Sequence, residues 1–437
     1  MVGLKYINRL VQIILVILIG LSFYLSYLIW LFPANQEATD VQEVSQNVVA
    51  MRSKQELFLP TQLIFRNNQA TFSAHSESVI RLFQNQLAKV KLSQMSVKTY
   101  SAKAELAASY KENEVIVFHY LSQMSLSTYL QVYHLQLSTE ALQKAKQLTF
   151  DTVKIDLNKE KLSFIHTDKL RVIQYDFSGL SSKNFSSLLN KTQDKMQKYP
   201  LNQEIVNGEV LSEQPIRLQL YSYISADQPY TVFRDAFFND TKNIKVNDDT
   251  PDAISISNSK GDILTINLDT QLIDYRENNY LLKNQTLYNA SAHYMANLGT
   301  SMGQLRYFTV EDERFTYRPF VEGYPIFREN NQGAIEVTFS PTVEKNQKNI
   351  NITGSLTTIQ VPIPSEKTQE LPGAGAVYQQ LFNAGLDQKQ YPIITIGYQW
   401  TDLQDTGVVD LTPTWFVYYQ QEWYQYQVLL KELQATN

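Results

Sequence analysis

The sequence of 437 residues contains no cysteine. Disulfide bonds therefore hold no part of the fold, and no cysteine is available for lipid attachment. This absence excludes a lipoprotein. It is unusual for a secreted eukaryotic ectodomain of this size but compatible with a Gram-positive cell surface.

Histidine is also scarce, and the arrangement of the five residues gives no catalytic or metal-binding pattern. They are His75, His119, His134, His166 and His293. None has H-x-H or H-E-x-x-H spacing. The G-x-S-x-G string at 299–303 follows a predicted helix and precedes a strand, which is not the strand–turn–helix order of a nucleophile elbow, and the S-x-x-K string at 257–260 lacks its partner motifs. His119 lies in a strand pattern, which favours a structural role. We predict no enzyme, no catalytic residues, no cofactor and no metal site.

A short glycine motif gives only a weak phosphate-loop pattern. Gly373-Ala374-Gly375 precedes a predicted helix, but a third glycine and a Lys-Ser/Thr pair are both missing. We interpret it as an ordinary loop.

Basic charge is not concentrated anywhere in the chain. Lys and Arg total 38 against 43 Asp and Glu, giving a net charge of -5. Nucleic-acid binding depends on clustered basic side chains, so we predict no nucleic-acid partner.

The apolar stretch from Leu10 to Phe32 contains no charged residue and predicts a membrane-spanning helix. Lys5 and Arg9 precede it, so the positive-inside rule places the amino terminus in the cytoplasm and the bulk of the chain outside. A cleaved signal peptide is the alternative. Its apolar core would be shorter, and a small-x-small cleavage site would follow. We therefore predict a single-pass protein of the cell membrane.

Composition and pattern predict an α+β protein. A single N-terminal transmembrane helix is followed by several extracytoplasmic domains of mixed helices and antiparallel sheets. The predicted limits are a cytoplasmic stub at 1–9, the transmembrane helix at 10–32, a stalk at 33–56, and α+β domains at 57–150, 151–285 and 286–437.

Local patterns predict several elements within these domains. Apolar residues at helical spacing favour a helix over 80–90, and alternation favours strands over 114–120 and 128–137. The turn at 259–262 predicts a hairpin.

Two segments share an outline that suggests an internal repeat. Residues 287–299 and 375–385 each predict a helix that ends at glycine, and each is followed by strands. Two such units side by side would bury a common aromatic core.

One face of the predicted transmembrane helix is a candidate helix–helix contact. Ser22 and Ser26 form a small-x-x-x-small pair, and Leu15, Ile19 and Ile29 lie on the same face. Serine is also tolerated in any membrane-spanning helix.

Several segments, in this order along the chain, resemble the YycH family of membrane-anchored regulators. They are LPTQLIF at 59–65, the helix around 230–238, FVEGYPIF at 320–327, GYQW at 397–400 and LTPTWFV at 411–417.

The resemblance implies a three-domain α+β ectodomain whose last domain, residues 286–437, is similar to the companion protein YycI. It also implies association with YycI, and contact between membrane helices and the sensor histidine kinase WalK (YycG). This kinase belongs to an essential two-component system that controls cell-wall metabolism. Within the motifs, Gly323 and Pro325 are expected to shape a turn and Trp415 to fill a strand face.

Two other functions remain open. The ectodomain could be a cell-surface module that binds a ligand or peptide in its aromatic third domain, or an enzyme acting on wall polymer. A regulator that acts through helix contacts agrees best with the predicted absence of both a cytoplasmic domain and an active site.

Overall fold

A computed structural model describes residues 15, 18–20, 22 and 51–437, apart from 136, 138, 239, 240, 242, 330, 331, 389, 390, 405 and 437. Contacts divide the chain into two units, Met1–Val48 and Val49–Asn437. The described residues of the first unit are helical and exposed.

In the second unit, the described residues form a first sheet of eight antiparallel strands between residues 62 and 199. The strands are β1 (Gln62–Arg66), β2 (Thr71–Ala74), β3 (Lys91–Thr99), β4 (Val115–Ser125), β5 (Thr149–Asp156), β6 (Lys161–His166), β7 (Arg171–Ser178) and β8 (Gln197–Tyr199). Their order across the sheet is β3-β7-β6-β5-β4-β1-β2-β8.

Helices in this part of the chain bury apolar side chains. They are α1 (Lys54–Leu57), α2 (Glu77–Gln84), α3 (Lys103–Ser109), α4 (Leu126–Val132), α5 (Thr139–Ala145) and α6 (Ser182–Thr192), with short 3-10 turns at Leu87–Lys89 and Gln193–Lys195. Phe83 of α2 packs against Phe65 of β1 and Phe185 of α6. This packing places α2 and α6 on one face of the sheet.

The chain then forms two small antiparallel pairs. The hairpin of β9 (Ile205–Val206) and β10 (Glu209–Val210) follows the first sheet, and β11 (Ile216–Gln219) pairs with β23 (Thr368–Leu371).

The described residues between 221 and 425 form a second sheet of fourteen strands. They are β12 (Tyr221–Asp227), β13 (Ile244–Thr250), β14 (Ala253–Asn258), β15 (Ile263–Asn267), β16 (Leu272–Leu281), β17 (Gln304–Glu311), β18 (Arg314–Val321), β19 (Tyr324–Phe327), β20 (Ile335–Pro341), β21 (Gln347–Ser355), β22 (Thr357–Ile363), β24 (Ile393–Leu403), β25 (Val408–Tyr419) and β26 (Glu422–Gln425). Their order is β13-β14-β15-β16-β21-β20-β18-β19-β24-β25-β12-β22, with β17 beside β18 and β26 beside β25. β19 and β24 run parallel.

Helices cover this sheet in two separate places. They are α7 (Tyr230–Phe237), α8 (Leu287–Asn297), α9 (Ala374–Asn383) and α10 (Tyr426–Thr436). Tyr294 of α8 belongs to the main apolar core, whereas Val377 of α9 packs with Trp415 in a smaller one. The two helix-and-strand units therefore have separate cores instead of the single shared core that the repeat predicted.

The mixed α+β class with antiparallel sheets is confirmed, as are the helices near 287–299 and 375–385 and the hairpin of β14 and β15. The strand predicted over 128–137 is wrong. The helix α4 occupies residues 126–132, and the Ser125 hydroxyl accepts a hydrogen bond from the Thr128 amide at its start. Its side chains are buried almost all round, so no polar stripe reveals the helical period.

The sheets do not follow the predicted domain limits. Strands of the first sheet lie on both sides of residue 150, and strands of the second lie on both sides of residue 285. The division into three domains remains a prediction.

Candidate functional site

Three of the five predicted helix-contact residues are described. Leu15, Ile19 and Ser22 are helical and exposed, while Ser26 and Ile29 lie outside the described residues. Whether these five side chains form a contact face therefore stays a prediction. Within the described part of the chain, no helix is both long enough and apolar enough to cross a membrane.

His119 has the structural setting of a packed strand residue. It lies in β4, where its Nδ1 atom is 3.1 Å from the Thr152 hydroxyl oxygen, and burial lowers its pKa to about 4. The turn of the β9–β10 hairpin covers the ring, because a Cβ atom on Gly208 would lie 2.2 Å from His119 Cδ2. In the described residues, no three His, Asp or Glu side chains are grouped to hold a metal ion.

A buried acid lies on the same hairpin. Glu209 in β10 is only 7% exposed, and its hydrogen bond from Gln62 Nε2 is long, at 3.5 Å. Burial raises the pKa of Glu209 to about 8. The carboxyl group therefore keeps its proton up to about pH 8 in the folded protein.

The glycines at the start of α9 have a packing role. A Cβ atom on Gly373 would lie 2.2 Å from the carbonyl oxygen of Ser212. The Gly375 amide donates a hydrogen bond to that same oxygen at 2.9 Å. Close approach of two backbones explains this motif.

A cleft of about 800 Å³ opens on the face of the second sheet opposite α9, with Val428 of α10 in its lining. Two hairpins border it, β17–β18 and β25–β26, and we call it the hairpin cleft. Both turns have two residues with positive φ: Asp312 and Glu313 in one, Gln420 and Gln421 in the other. Such two-residue turns suit the twist of their strands. The Tyr418 hydroxyl of one hairpin donates a hydrogen bond to Glu311 Oε1 of the other.

Aromatic side chains form one wall of the hairpin cleft. The rings of Phe327 and Phe416 stack with centroids 3.6 Å apart, and Trp423 lies 5.2 Å from Phe308 and 5.3 Å from Tyr418. Gly397 makes the stack possible, because a Cβ atom there would lie 2.6 Å from Phe327 Cε2. The wall is thus built by residues distant in sequence.

Polar groups form the rest of the lining. Gln425 Nε2 donates to Gln399 Oε1 at 2.8 Å, and Thr309 and Thr316 face each other on β17 and β18. Charged residues of both signs also line the cleft. They are Glu311, Glu329, Glu336, Glu422, Arg314, Arg318 and Arg328.

Arg318 is the most buried charge in this lining, at 4% exposure. Its guanidinium lies 4.4 Å from the centre of the Phe327 ring and 5.1 Å from that of Phe308. Nη1 donates to the Ile326 carbonyl at 3.2 Å. Burial lowers the pKa of Arg318 to about 9, and the Glu336 carboxylate opposes that shift, so the group stays charged at pH 7.

The segment at residues 52–60, which we call the junction segment, lies between the two sheets. Arg52 is 5% exposed and donates to the carbonyl oxygens of Gly299 (3.1 Å), Leu305 (3.1 Å) and Gly303. On the side of the first sheet, the Tyr120 hydroxyl donates to the Phe58 carbonyl at 2.8 Å. The last residues of the predicted stalk therefore belong to the folded body.

Sequence patterns did not reveal the hairpin cleft or the role of Arg52, since both depend on contacts between distant segments. One signal was available for the cleft. In the run at 414–419, alternation places Trp415 against the helices and Phe416 on the opposite face of the sheet.

Two family models match the chain in succession. The one described as "YycH protein, N-terminal domain" matches residues 9–198, and the one described as "YycH protein, C-terminal domain" matches residues 207–432. The chain belongs to the YycH family. The first match contains nearly all of the eight-stranded sheet, and the second contains the fourteen-stranded sheet.

The fold is similar to that of a solved member of the family. The crystal structure of YycH from Bacillus subtilis has a TM-score of 0.65 and 13% sequence identity, covering 86% of this chain and 97% of that one. At this identity the likeness concerns the fold alone. Comparison with curated proteins gives no match.

The resemblance that the sequence motifs indicated is thus confirmed. YycH proteins are a regulatory, non-enzymatic family, and membership supports a regulatory role in the WalK (YycG) system. Gly323 lies at the predicted turn, with φ +89°, and Trp415 is fully buried on its strand face. Pro325 is not part of that turn, because it lies in β19, where it pairs with Phe320.

Proposed function

We propose that this chain is a membrane-anchored, extracytoplasmic regulator of the sensor histidine kinase WalK (YycG), and that it acts together with a YycI-like companion through contacts between membrane helices. The observation that carries the proposal is the pair of YycH family matches, which together cover residues 9–198 and 207–432. The first match includes the whole of the predicted membrane segment at 10–32.

The junction segment supports this mechanism from the described part of the chain. Arg52 binds the loop after α8. Arg306 of β17 donates to the Leu59 carbonyl at 3.0 Å, while Tyr133, which follows α4, donates to the Phe58 carbonyl at 2.9 Å. The chain therefore enters the folded body at a point held by elements of both family domains.

A segment exchange tests the proposal in the full-length protein. Replacing residues 10–32 with an unrelated membrane helix should abolish regulation of WalK-dependent transcription while leaving the ectodomain on the cell surface. Regulation that survives the exchange would contradict a mechanism through helix contacts.

Point variants test the predicted contact face. Ser22→Leu combined with Ser26→Leu should weaken association with WalK or the YycI-like protein in a membrane two-hybrid assay, because bulky side chains prevent close helix approach. Gly20→Leu is the matched control, since residue 20 lies on the opposite side of the helix. Equal association of all variants would exclude this face.

The hairpin cleft favours a second candidate function, binding of a ligand at the cell surface. Its volume of about 800 Å³ lies within the range of small-molecule sites, which runs from roughly 300 to 1,000 Å³. Saturable binding of a ligand by the full-length protein, lost when cleft residues are changed, would support this function. It is compatible with regulation, because ligand binding could be the input to the kinase.

A further inference from the structure

The lining of the hairpin cleft restricts the chemistry of a ligand. Aliphatic groups are nearly missing from the described lining, where Val428 is the single aliphatic residue. A lipid chain gains its binding energy from apolar contact, and the charged and amide groups here would lose water without gaining partners. The lining is therefore unfavourable for binding a lipid or acyl ligand.

The charges of the lining are of both signs, and several already face opposite charges. Glu311 and Arg314 are directly opposite each other across the β17–β18 hairpin. Arg328 binds Asp402 with an Nη2–Oδ2 distance of 3.1 Å. With three arginines and four glutamates, neither sign dominates the lining. Such a site gives little electrostatic attraction to a strongly charged ligand.

The floor of the cleft exposes side chains and few unpaired backbone hydrogen-bonding groups. β18 pairs with β17 on one side and with β19 and β20 on the other, and β25 lies between β24 and the strands β12 and β26. A peptide that binds as an added strand needs an unpaired strand edge. The floor strands β18 and β25 have partners on both sides, so an added strand has an unpaired edge only at β17 or β26, the outer strands of the two hairpins.

What remains is a set of flat aromatic rings beside amides, hydroxyls and balanced charges. Trp423 and Tyr418 are half-buried at the mouth, and the amides of Gln399 and Gln425 lie on the floor. A sugar ring has an apolar C–H face that packs on an aromatic ring, and hydroxyl groups that need donors and acceptors at its edge. We infer that the hairpin cleft binds a neutral saccharide, with sugar rings against Trp423 and Tyr418 and hydroxyl groups toward Gln399 and Gln425. This inference rests on the second candidate function and adds the class of ligand.

Binding can be measured by calorimetry on the full-length protein in a detergent without a sugar headgroup. Maltotriose and triacetylchitotriose serve as saccharide probes, and the tripeptide Ala-Gln-Ala serves as a peptide probe of similar polarity. Fluorescence gives a second readout, because Trp423 is the one of the four tryptophans that is found in the described lining of the cleft. We expect at least one saccharide to bind saturably and to change the fluorescence.

Two variants locate the site. Trp423→Ala and Gln425→Leu should each weaken saccharide binding at least tenfold. Tyr391→Ala is the matched control, because Tyr391 is a partly exposed aromatic residue that packs with Tyr378 outside the cleft. Thermal unfolding of each variant separates a loss of affinity from a loss of fold. Gln425→Leu keeps the side-chain volume, so it provides the test even if Trp423→Ala does not fold.

The outcomes separate this inference from the function on which it rests. Binding of the tripeptide without binding of either saccharide would overturn the saccharide assignment and leave ligand binding in place. Saccharide binding that is unchanged in both variants would place the ligand elsewhere and overturn the inference. Binding of none of the three probes would overturn the inference and remove support from the second candidate function.

Discussion

Gly323 approaches His75 so closely that a Cβ atom on Gly323 would lie 2.0 Å from the His75 carbonyl oxygen. The two residues belong to the two matched family domains, at 207–432 and 9–198. The adjacent Tyr324 stacks on the His75 ring with centroids 4.7 Å apart. The turn at Gly323 is therefore a point of direct packing between the two domains.

Substitution of Gly323 should be strongly destabilising. Gly323→Ala combines an unfavourable positive φ, costing about 1–2 kcal/mol, with a clash against backbone that adds about 1–3 kcal/mol. The free energy of unfolding, measured by urea denaturation, should fall by the sum of the two. Gly261→Ala is the control, because Gly261 has a similar φ of +85° and nothing within 4 Å of the added Cβ. Equal losses in the two variants would show that the contact with His75 contributes nothing.

Arg52 should be important for stability although it lies within the predicted stalk. Arg52→Ala leaves several carbonyl oxygens without their donor, and we expect a loss of about 2–4 kcal/mol in the free energy of unfolding. Arg52→Lys should lose less stability than Arg52→Ala, because the ammonium group keeps the charge and a donor. It should still be less stable than the wild-type protein, because one ammonium group cannot reach all the acceptors.

Arg276→Ala provides the comparison for Arg52. Arg276 pairs with Asp274 at 2.8 Å, and its side chain is 69% exposed. Removal of such a surface pair should change stability by less than about 1 kcal/mol. A loss at Arg52 no larger than that at Arg276 would contradict the anchoring role of Arg52.

Glu209 should make stability fall as pH rises. Its pKa is about 8 in the folded protein and about 4.3 in an unfolded chain, so the folded state holds the proton more tightly. The stabilisation is therefore complete below pH 4.3 and is lost as pH rises to about 8. Between pH 6.5 and 8.5, the titration of Glu209 should lower the free energy of unfolding by about 2 kcal/mol, because the slope is 1.36 kcal/mol per pH unit below the folded pKa and flattens near it. The variant Glu209→Gln should lack this decline.

That pH range avoids the opposing effect of His119, whose lowered pKa makes stability fall only as pH drops below about 6.5. Glu204→Gln is the control, because Glu204 is an acid with a 60% exposed side chain that pairs with Lys111. Urea unfolding at several pH values gives the curves. Parallel curves for the wild-type protein and Glu209→Gln would show that Glu209 does not titrate in this range.

Elements with local signals could be predicted from the sequence. The helices α8 and α9 are each followed by a glycine with positive φ, at Gly299 and Gly385, and β14 and β15 flank a four-residue turn. Helix α4 was missed because its β-branched and aromatic residues favour strands, and burial hides its period. Local propensity is overridden there by tertiary packing.

The hairpin cleft and the junction segment have no local signal. Phe327 and Phe416 are 89 positions apart and meet only because β19 pairs with β24 and β24 with β25. The guanidinium of Arg52 finds its carbonyl partners only after α8 and β17 are in place. A single sequence contains the residues of such a site but gives no measure of which segments pair.

The contacts of Arg52 also constrain when the protein can finish folding during its synthesis. The hydrogen-bond partners of its side chain lie 247 to 253 positions later in the chain. At a translation rate of about 5–20 residues per second, these partners leave the ribosome between about 12 and 50 s after Arg52 itself. Throughout that interval the junction segment has no docking place on the second sheet. A chain cut short before residue 299 lacks the carbonyl partners of the Arg52 side chain, so this attachment forms only after synthesis has passed them.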